Sequence, residues 1–575
     1  MKNPALNSST LTHPTAARPA ETLSTLASLA WARWLALYMF ALMWFGTLGY
    51  RKLITPDEGR YAEIGREMLA SGDWITPRLN GVKYFEKPVL QYWMTASSFK
   101  IFGENEFAAR FWPAITGFAA LLAVLFTLRR ILRSDAHGET LAWSGTALLA
   151  SSAWWIGNGH FLTLDMGVTA FLTMALCGFI WAQQDDATPR ETRNAMLAAW
   201  AAMALATLSK GLIGLLIPGA SLLLYTLWSR DVAIWRRLHL RVGLCLFLVI
   251  AAPWFVVVSA RNPEFAQFFF VHEHFQRYAT HEAQRVQPWF FFIPVLVAGV
   301  LPWTALLPAI LRQGVRVKMA TASSFNTSRF LLVWAAFVFL FFSMSGSKLP
   351  AYILPMFPAV AMLGAPLLLS FGRKTAWALA ITQAVLGVAA LIGATVLLNK
   401  VSQDASGSDA QFALWLYGMG AASLATAAMV VWLYRKQARI ALIVGLTFSG
   451  LLVAQIPMLG YEAYSSRTSS YALAQAVRPQ INENSTLYTV RTYDQTLPFY
   501  LKHTVQLVEY VDEFALGQSI ESDKKMTLGS FIQHWHTDRA PVAVMERDLF
   551  DQLDEEGLGM RVVYRDMKRV VVVRG

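Results

Sequence analysis

The residues with the clearest capacity for chemistry lie in one polar stretch near the start of the chain, TPDEGRYAEIGREMLASGDWITPRLNGVKYFEKPVLQYW. Asp57 and Glu58 follow Pro56 and open a predicted helix with acids in its first turn. Arg60 stands close behind them. Carboxylates can orient a nucleophile or act as a general base, and an arginine can hold a phosphate through two parallel hydrogen bonds. An acidic helix cap is the alternative reading of Asp57 and Glu58.

Two further candidates are Glu86 and Asp165. Glu86 stands with Lys87 directly before a proline, where a solvated ion pair is the alternative to a phosphate site. Asp165 lies inside an apolar run, and a carboxylate at the centre of a membrane helix costs about 2.5–3.5 kcal/mol. We therefore expect Asp165 to have a charged partner or to face a polar cavity, either as part of a functional site or in a structural ion pair.

Lys210 separates two apolar runs, and a lysine that reaches to the membrane interface is the alternative to a site residue. In the loop FFFVHEHFQRYATHEAQ, Glu273 and Arg277 stand one helical turn apart. They form either an ion pair or, through Arg277, a phosphate site. His272 together with Glu86 forms a candidate site for a divalent metal (Zn, Mg or Mn), although structural zinc sites use four protein ligands.

The stretch SGSKLPAYILP adds Lys348 and Tyr352, which read either as site residues or as a loop lysine and a tyrosine of the aromatic belt. Acids and bases gathered at one face suit a substrate that carries both a phosphate and sugar hydroxyl or amino groups. The sequence contains neither a Walker-type loop nor a G-x-G-x-x-G fingerprint. The sequence therefore argues against a nucleotide sugar or ATP bound on a Rossmann domain as the donor.

The composition indicates a bilayer as the solvent of most of the chain. Of 575 residues, 55% are hydrophobic and 15% are charged, whereas soluble domains carry about 25% charged residues. The net charge of +12 is spread between apolar runs, which argues for membrane topology rather than for nucleic acid. Cys177 and Cys245 both lie in apolar segments, so we expect no structural disulfide.

About thirteen apolar runs are long enough to be candidate membrane spans. They cover residues 31–50, 108–128, 141–157, 161–182, 195–209, 211–228, 242–260, 289–311, 330–344, 350–371, 375–398, 411–433 and 440–460. With a cytoplasmic N-terminus, about 18 basic residues fall in inner loops and about six in short outer loops, the positive-inside pattern. Residues 1–30 are then a disordered cytoplasmic tail, and the C-terminus lies outside.

The elements that must position the site are therefore an all-α polytopic membrane domain, residues 31–460, and its first outer loop, residues 51–107. This loop is predicted to contain interfacial helices, one of which places Ile64 on an apolar face and Glu63 on a polar face. Residues 461–575 have the composition of a small soluble α/β domain. Its predicted strands are 486–490, 504–511, 541–545 and 561–573, and its predicted helices are 469–477 and 547–556.

Several of these stretches resemble one family. The motifs are Asp57-Glu58, Arg60-Tyr61-Ala62-Glu63, Tyr84-Phe85-Glu86-Lys87-Pro88, Ser209-Lys210-Gly211 and Gly346-Ser347-Lys348-Leu349-Pro350-Ala351-Tyr352. In order and over residues 31–460, they are similar to the lipid A aminoarabinose transferases of the protein O-mannosyltransferase-like glycosyltransferase C superfamily. The resemblance implies transfer of 4-amino-4-deoxy-L-arabinose from undecaprenyl phosphate to a lipid A phosphate at the periplasmic face, with resistance to polymyxin and other cationic peptides.

The resemblance also implies roles for residues. Asp57 and Asp165 would be catalytic carboxylates, Lys87 and Arg277 would hold the carrier phosphate, and Glu86 would be a metal ligand. Tyr61, Tyr84 and Tyr352 would line the cavity. The remaining substrate-binding candidates are Glu58, Arg60, Lys210 and Lys348.

The function expected is thus inverting pentosyl transfer by a monomeric enzyme of the bacterial inner membrane. One alternative is a polyprenyl-phosphate-sugar transferase with another sugar or acceptor. Another is a flippase for lipid-linked sugars, disfavoured because no internal repeat of spans is visible and the polar residues gather at one face. A receptor built around the C-terminal domain leaves Asp165 unexplained.

Overall fold

The computed structural model describes residues 19–276, 287–316, 324–399, 407–482 and 484–575. It divides into two units, Met1–Thr47 and Leu48–Gly575. In the first unit, helix α1 spans Pro19–Gly46. Of the tail predicted to be disordered, residues 1–18 lie outside the described ranges, and α1 begins at Pro19, well before Trp31. Proline suits the first position of a helix because its φ angle is already helical.

The second unit opens with the loop of residues 51–107, which contains helix α2 (Asp57–Ser71), strands β1 (Arg78–Leu79) and β2 (Val82–Lys83), and helix α3 (Leu90–Phe102). The two strands pair in antiparallel fashion around Asn80 and Gly81. These turn residues have φ angles of 54° and 74°. A type I′ turn requires positive φ at both positions, and Asn-Gly is its preferred sequence.

The membrane helices follow. They are α4 (Glu106–Ile131), α5 (Gly138–Ala150), α6 (Ala153–Gly159), α7 (Leu164–Ala182), α8 (Pro189–Lys210), α9 (Ile213–Ser229), α10 (Leu240–Arg261), the short α11 (Glu264–Ala266) that continues as a π-helix (Gln267–Gln276), α12 (Phe292–Gly299), α13 (Leu307–Arg316), α14 (Thr327–Met344), α15 (Phe357–Gly364), α16 (Arg373–Asn399), α17 (Ser408–Arg435) and α18 (Arg439–Gly460). This confirms the all-α membrane domain predicted from the apolar runs.

Fewer helices are long and apolar enough to cross a membrane than the thirteen spans predicted. Within the described ranges, eight helices pass as spans, and a ninth if the pair Phe292–Gly299 and Thr304–Val315, bent by 113°, counts as one. The run at 141–157 is broken between α5 and α6, where the Ser152 hydroxyl donates to the Leu148 carbonyl at 2.8 Å. Helix α9 has only 17 residues.

The C-terminal part is a five-stranded sheet with short helices, which confirms the small α/β domain. Its strands are β3 (Ser485–Val490), β4 (Gln506–Val508), β5 (Ala540–Glu546), β6 (Met560–Arg565) and β7 (Arg569–Arg574). Its helices are α19 (Ser465–Thr468), α20 (Tyr471–Val477), α21 (Thr496–Leu501), α22 (Ala515–Ile520), α23 (Leu528–Thr537) and α24 (Arg547–Glu555). The strand order is β4-β3-β5-β7-β6, with β3 parallel to β4 and β5 and the other pairs antiparallel.

The single strand predicted over residues 561–573 was wrong, since this run folds into the hairpin β6–β7. Its turn is made by Asp566, whose carboxylate accepts hydrogen bonds from the backbone N–H groups of Lys568 at 2.8 Å and Arg569 at 2.7 Å. Aspartate favours turns because it can satisfy nearby backbone donors in this way.

The C-terminal domain is closely packed on the loop of residues 51–107. The Asn80 side chain exchanges two hydrogen bonds of 2.7 Å with the backbone of Val505. A Cβ atom on Gly59 would lie 2.5 Å from the backbone carbon of Gln495, so α2 requires glycine at this point. The polar face of α2 is consequently buried, with Glu63 fully enclosed. The loop and the C-terminal domain thus form one packed layer.

Candidate active site

Asp57 is the first residue of α2, and its side chain is 49% exposed. Its Oδ1 atom accepts a hydrogen bond of 2.9 Å from Nη1 of Arg60. Arg60 is shared with a second carboxylate, because its Nε atom donates to Glu513 of the C-terminal domain. Asp57 therefore keeps an open face, which is what a carboxylate needs to orient or bind a substrate.

Asp165 and Lys210 form an ion pair between the start of α7 and the end of α8. The Lys210 ammonium also lies 4.8 Å from the centroid of the Tyr352 ring, and the charge of Asp57 acts on it. Asp165 thus has the partner that its apolar setting demands. The four side chains predicted from distant parts of the sequence share one electrostatic neighbourhood.

Lys87 is held by acidic and carbonyl oxygens. Its Nζ atom lies 2.9 Å from Oε2 of Glu273, 2.8 Å from the Glu86 carbonyl oxygen and 3.9 Å from the Glu86 carboxylate. Glu273 is 5% exposed, and an ion pair with Arg277 was one of the two alternatives for it. Its segment is a π-helix, in which hydrogen bonds run from i to i+5, so α-helical spacing does not apply. Arg277 lies outside the described residues.

Three tyrosines, Tyr61, Tyr84 and Tyr92, are buried beside these groups. The Tyr61 and Tyr92 ring centroids are 6.2 Å apart. The hydroxyl oxygens of Tyr84 and Tyr92 have no hydrogen-bond partner within the described ranges. Burial, and after it the charge of Glu86, raises the pKa of Tyr84 well above its usual value, so the phenol stays protonated. A buried hydroxyl without a partner costs free energy.

Glu58 follows Asp57 in the chain but is fully enclosed. Its carboxylate lies 2.7 Å from Nε of Arg110 and 2.9 Å from Nη1 of Arg51. Burial by itself would raise the pKa of Glu58, but Arg110 and Arg51 outweigh it and lower the pKa to about 2. Burial and the repulsion of Arg110 lower the pKa of Arg51 to about 10, so Arg110 is the principal counter-ion.

The carboxylate of Glu58 also accepts backbone hydrogen bonds of 3.0 Å from Ile54 and Leu162. It joins the loop, α4 and the start of α7, and it does not open toward the cluster around Asp57. The geometry therefore gives Glu58 a structural role rather than the substrate-binding role predicted for it.

Lys348 does not join the cluster around Asp57, whereas His272 lies next to the Lys87 group, with its Nδ1 atom 3.8 Å from Oε1 of Glu273. The Lys348 ammonium is buried and donates to the carbonyl oxygens of Ser345 at 2.7 Å and Gln287 at 3.1 Å, which fastens the loop before Tyr352. The His272 side chain is 46% exposed and its ring stacks on Phe268 with centroids 5.0 Å apart.

A metal site is not completed by the part of the chain that the structure describes. No group of three or more His, Cys, Asp or Glu residues comes together there with the geometry to hold a metal ion. Glu86 and His272 supply two candidate ligands, whereas catalytic zinc sites use three protein ligands. No chemical step is therefore assigned to a metal.

Sequence reasoning missed four residues of this region. Arg110 gave a visible signal, because it interrupts the apolar run EFAARFW, and Arg51 directly follows the first apolar run. Glu513 and Tyr92 gave none, since an acid in a polar domain and a tyrosine in an interfacial helix are both common.

Comparisons with known proteins cover nearly the whole chain. The family model described as dolichyl-phosphate-mannose-protein mannosyltransferase matches residues 29–269, and the aminoarabinose transferase C-terminal domain matches residues 473–574. The crystal structure of ArnT from Cupriavidus metallidurans bound to undecaprenyl phosphate is 34% identical, with a TM-score of 0.87, over 95% of this chain and 98% of that chain. The chain belongs to the aminoarabinose transferase family. The apo structure of the same relative gives a TM-score of 0.86.

Curated members of the aminoarabinose transferase family agree over a shorter range. An undecaprenyl phosphate-alpha-4-amino-4-deoxy-L-arabinose arabinosyl transferase from Pseudomonas fluorescens is 36% identical over 61% of this chain. Its counterpart from Pseudomonas aeruginosa is 36% identical over 57%. Each matched segment spans 58% of the relative's own length. The resemblance drawn from the motifs, including the glycosyltransferase C superfamily, is confirmed.

Proposed function

We propose that this chain transfers 4-amino-4-deoxy-L-arabinose from undecaprenyl phosphate to a phosphate of lipid A at the periplasmic face of the bacterial inner membrane. The observation that carries the proposal is the half-exposed carboxylate of Asp57, whose charge acts on the Lys210 ammonium that pairs with Asp165 and lies over the Tyr352 ring. The relative bound to undecaprenyl phosphate supports the choice of donor. An added amino sugar lowers the negative charge of lipid A, which weakens binding of polymyxin and other cationic peptides.

Lys87 is the proposed ligand of the carrier phosphate. A lysine ammonium has three donors. Two of them donate to Glu273 and the Glu86 carbonyl oxygen, and the Glu86 carboxylate lies beyond hydrogen-bond distance at 3.9 Å, so the third can donate to a phosphate oxygen. Its side chain is 19% exposed, so a phosphate oxygen can reach it. Arg277 is proposed as a second phosphate ligand from its sequence motif.

The proposed reaction is a single displacement. An oxygen of the acceptor phosphate attacks C1 of the sugar, and the C1–O bond on the opposite face breaks with its electron pair passing to the carrier phosphate, which inverts C1. Lys87 stabilises the charge that grows on the leaving phosphate, and one well-aimed donor can contribute about 3–4 kcal/mol.

Asp57 has a different task for each acceptor. A lipid A phosphate is already anionic at neutral pH and needs no strong base, so Asp57 orients the acceptor or binds the ammonium of the amino sugar. A hydroxyl acceptor would require Asp57 as the general base. Asp165 keeps Lys210 in place beside it.

The direct test is transfer of radiolabelled sugar from the polyprenyl donor to lipid A by the purified chain in detergent. Covalent labelling of lipid A marks a transferase, whereas relocation of unchanged donor in vesicles marks a flippase. Lys87→Glu should abolish labelling, and Lys100→Glu is the matched control because Lys100 is an exposed lysine of the same loop. Full activity of Lys87→Glu would refute the role of Lys87.

The identity of sugar and acceptor is tested in cells. Mass spectrometry of lipid A with and without this protein should show a mass increase of one aminopentose per modified phosphate. An unchanged lipid A together with a sugar on another acceptor would favour the alternative of a protein O-mannosyltransferase-like enzyme.

In the proposed topology, the N-terminal residues 1–30 lie in the cytoplasm and residues 461–575 lie in the periplasm. Residues 31–460 form the catalytic membrane domain between them. The positive-inside distribution of basic residues supports it. Alkaline phosphatase fused after Gly575 should be active, and an inactive fusion would reverse the orientation.

Two finer points belong to the same proposal. The enzyme acts as a monomer, which light scattering of the detergent complex checks. We also propose that Glu86 and His272 contribute to a site for a divalent ion, Zn, Mg or Mn. Chelation should then lower donor binding, and refilling should restore it in the wild type but not in His272→Ala.

A further inference from the structure

A cluster of basic residues lies far along the chain from the candidate active site, where the start of α16, the end of α17 and the start of α18 meet. We propose that this cluster binds the phosphate headgroup of an anionic membrane phospholipid. Its cationic members are Arg373, Lys374, Arg435, Lys436 and Arg439. We call it the basic cavity.

The basic cavity has a volume of about 490 Å³ and is lined by Arg373, Arg435 and Arg439 together with Trp377 and Tyr434. Three guanidinium groups around one cavity offer planar forks of donors, the geometry that phosphate oxygens favour. The volume is within the range of ligand sites in proteins, about 300–1,000 Å³.

Arg373 and Arg435 of the basic cavity make no ion pair within the described residues. The sequence from 371 to 408 contains a single acidic residue, Asp404. Other basic loops differ: Arg129 pairs with Glu139 at 2.7 Å and Arg237 with Asp185 at 3.1 Å. Unpaired like charges repel one another, and an anionic ligand relieves that repulsion.

The inner wall of the basic cavity is fixed. Arg439 donates to the Phe371 carbonyl oxygen at 2.8 Å, and its guanidinium lies 5.4 Å from the centroid of the Phe371 ring. Phe371 in turn stacks on Tyr434 with ring centroids 6.4 Å apart. The first turns of α16 and α18 carry no acid, so the positive ends of both helix dipoles add to the field.

An apolar stripe along α16 indicates that the ligand is a lipid rather than a free anion. Trp377, Ile381, Val385, Val388 and Ile392 are 40–62% exposed and recur at three- and four-residue spacing. The stripe starts at the basic cavity and runs along a spanning helix over roughly 22 Å. An acyl chain can follow it while the headgroup sits among the arginines, at the interface level that Trp377 favours.

The test uses the full chain purified in detergent and native mass spectrometry with dioleoyl phosphatidylglycerol and dioleoyl phosphatidylcholine. The two probes share acyl chains and differ in headgroup charge. The wild type should bind phosphatidylglycerol at least about 25-fold more tightly, since each of two or more cations near the headgroup contributes about five-fold. Equal binding of the two lipids overturns the proposal, and this comparison needs no variant.

The double variant Arg373→Gln/Arg435→Gln should weaken phosphatidylglycerol binding on the order of 25-fold, since each cation near an anionic headgroup contributes about five-fold. Arg230→Gln/Arg236→Gln is the matched control, because it removes two exposed arginines of another loop. It should leave the affinity within about two-fold of the wild type. Equal losses in both double variants would contradict a local site.

Millimolar inorganic phosphate separates the two sources of a phosphate group. It should not displace the lipid, because the apolar stripe binds only a molecule with acyl chains. Complete displacement would show a site for a free anion and overturn the assignment to a lipid.

Discussion

Asp57 and Glu58 are neighbours in the chain with opposite surroundings. Glu58 is enclosed between Arg110 and Arg51, and its carboxylate is saturated with donors. Asp57 is half exposed and has one arginine, which it shares with Glu513. Successive residues of a helix point about 100° apart, so one turn can direct one acid into the protein interior and leave the next one open.

Two adjacent acids can therefore have different roles, one in stability and the other in activity. The enclosed acid fixes where α2 begins, and the neighbouring acid is thereby held with its carboxylate half exposed. Substitution of each residue alone should therefore separate stability from activity.

The largest expected effect is that of Glu58→Gln. It leaves two arginines without their counter-ion in a buried place, and removal of one partner from a buried pair costs about 3–5 kcal/mol. The free energy of unfolding should fall by that amount in thermal or denaturant unfolding of the detergent complex. Asp57→Asn should leave the melting temperature unchanged. A similar loss in both variants would refute the division of roles.

Acid should remove the contribution of Glu58 from the wild type. Its pKa is about 2 in the folded protein against an ordinary 4.5. A lowered pKa gives stability that is complete above about pH 4.5 and is lost as the pH falls toward 2, about 3 kcal/mol in all. Unfolding measured between neutral pH and acid should show this slope.

The Glu58→Gln variant is the control for the pH series. It retains other carboxyls, such as Glu67, whose pKa is raised by burial and by Glu63. The difference between the two proteins therefore isolates Glu58. Identical pH profiles would show that Glu58 carries no such contribution.

Asp57→Asn should lower kcat for sugar transfer on the order of 100-fold while the protein stays folded, because the open carboxylate is lost. Asp57→Glu should recover part of the rate, since it restores the charge. The measurement is transfer of labelled sugar at saturating donor. Activity within a few-fold of the wild type would remove Asp57 from the site.

The smallest effect is expected at an exposed ion pair. Lys502 lies 3.0 Å from Glu104, and the side chains are 56% and 22% exposed. Lys502→Ala should change the free energy of unfolding by less than about 1 kcal/mol, because water screens the pair. A loss comparable to that of Glu58→Gln would show that ion pairing, rather than burial of the pair, determines how much the free energy of unfolding falls.

Much of the fold could be predicted from local patterns. Apolar runs of spanning length become helices because the bilayer leaves backbone groups no other partners, and Asn80-Gly81 is a turn by residue type. The docking of the C-terminal domain was not predictable, since Asn80 and Val505 are 425 positions apart and neither carries a local signal of the contact.

The residues of the candidate site could likewise be predicted only where the sequence carries a local signal. Asp165 and Lys210 could be singled out because a charge in an apolar run is costly, and the structure pairs them. Glu58 resembled Asp57 in sequence, and only the positions of Arg51 and Arg110 separate the two. Glu513 accepts a hydrogen bond from Arg60, but it belongs to a polar domain in which an acidic residue is common and gives no signal of this contact.

The two hydrogen bonds between Asn80 and Val505, together with the close packing of Gly59 on the backbone of Gln495, have a consequence for protein engineering. A chimera that takes residues 51–107 from a homologue must take residues 471–575 from the same donor. Either segment grafted alone would meet a surface shaped for a different counterpart.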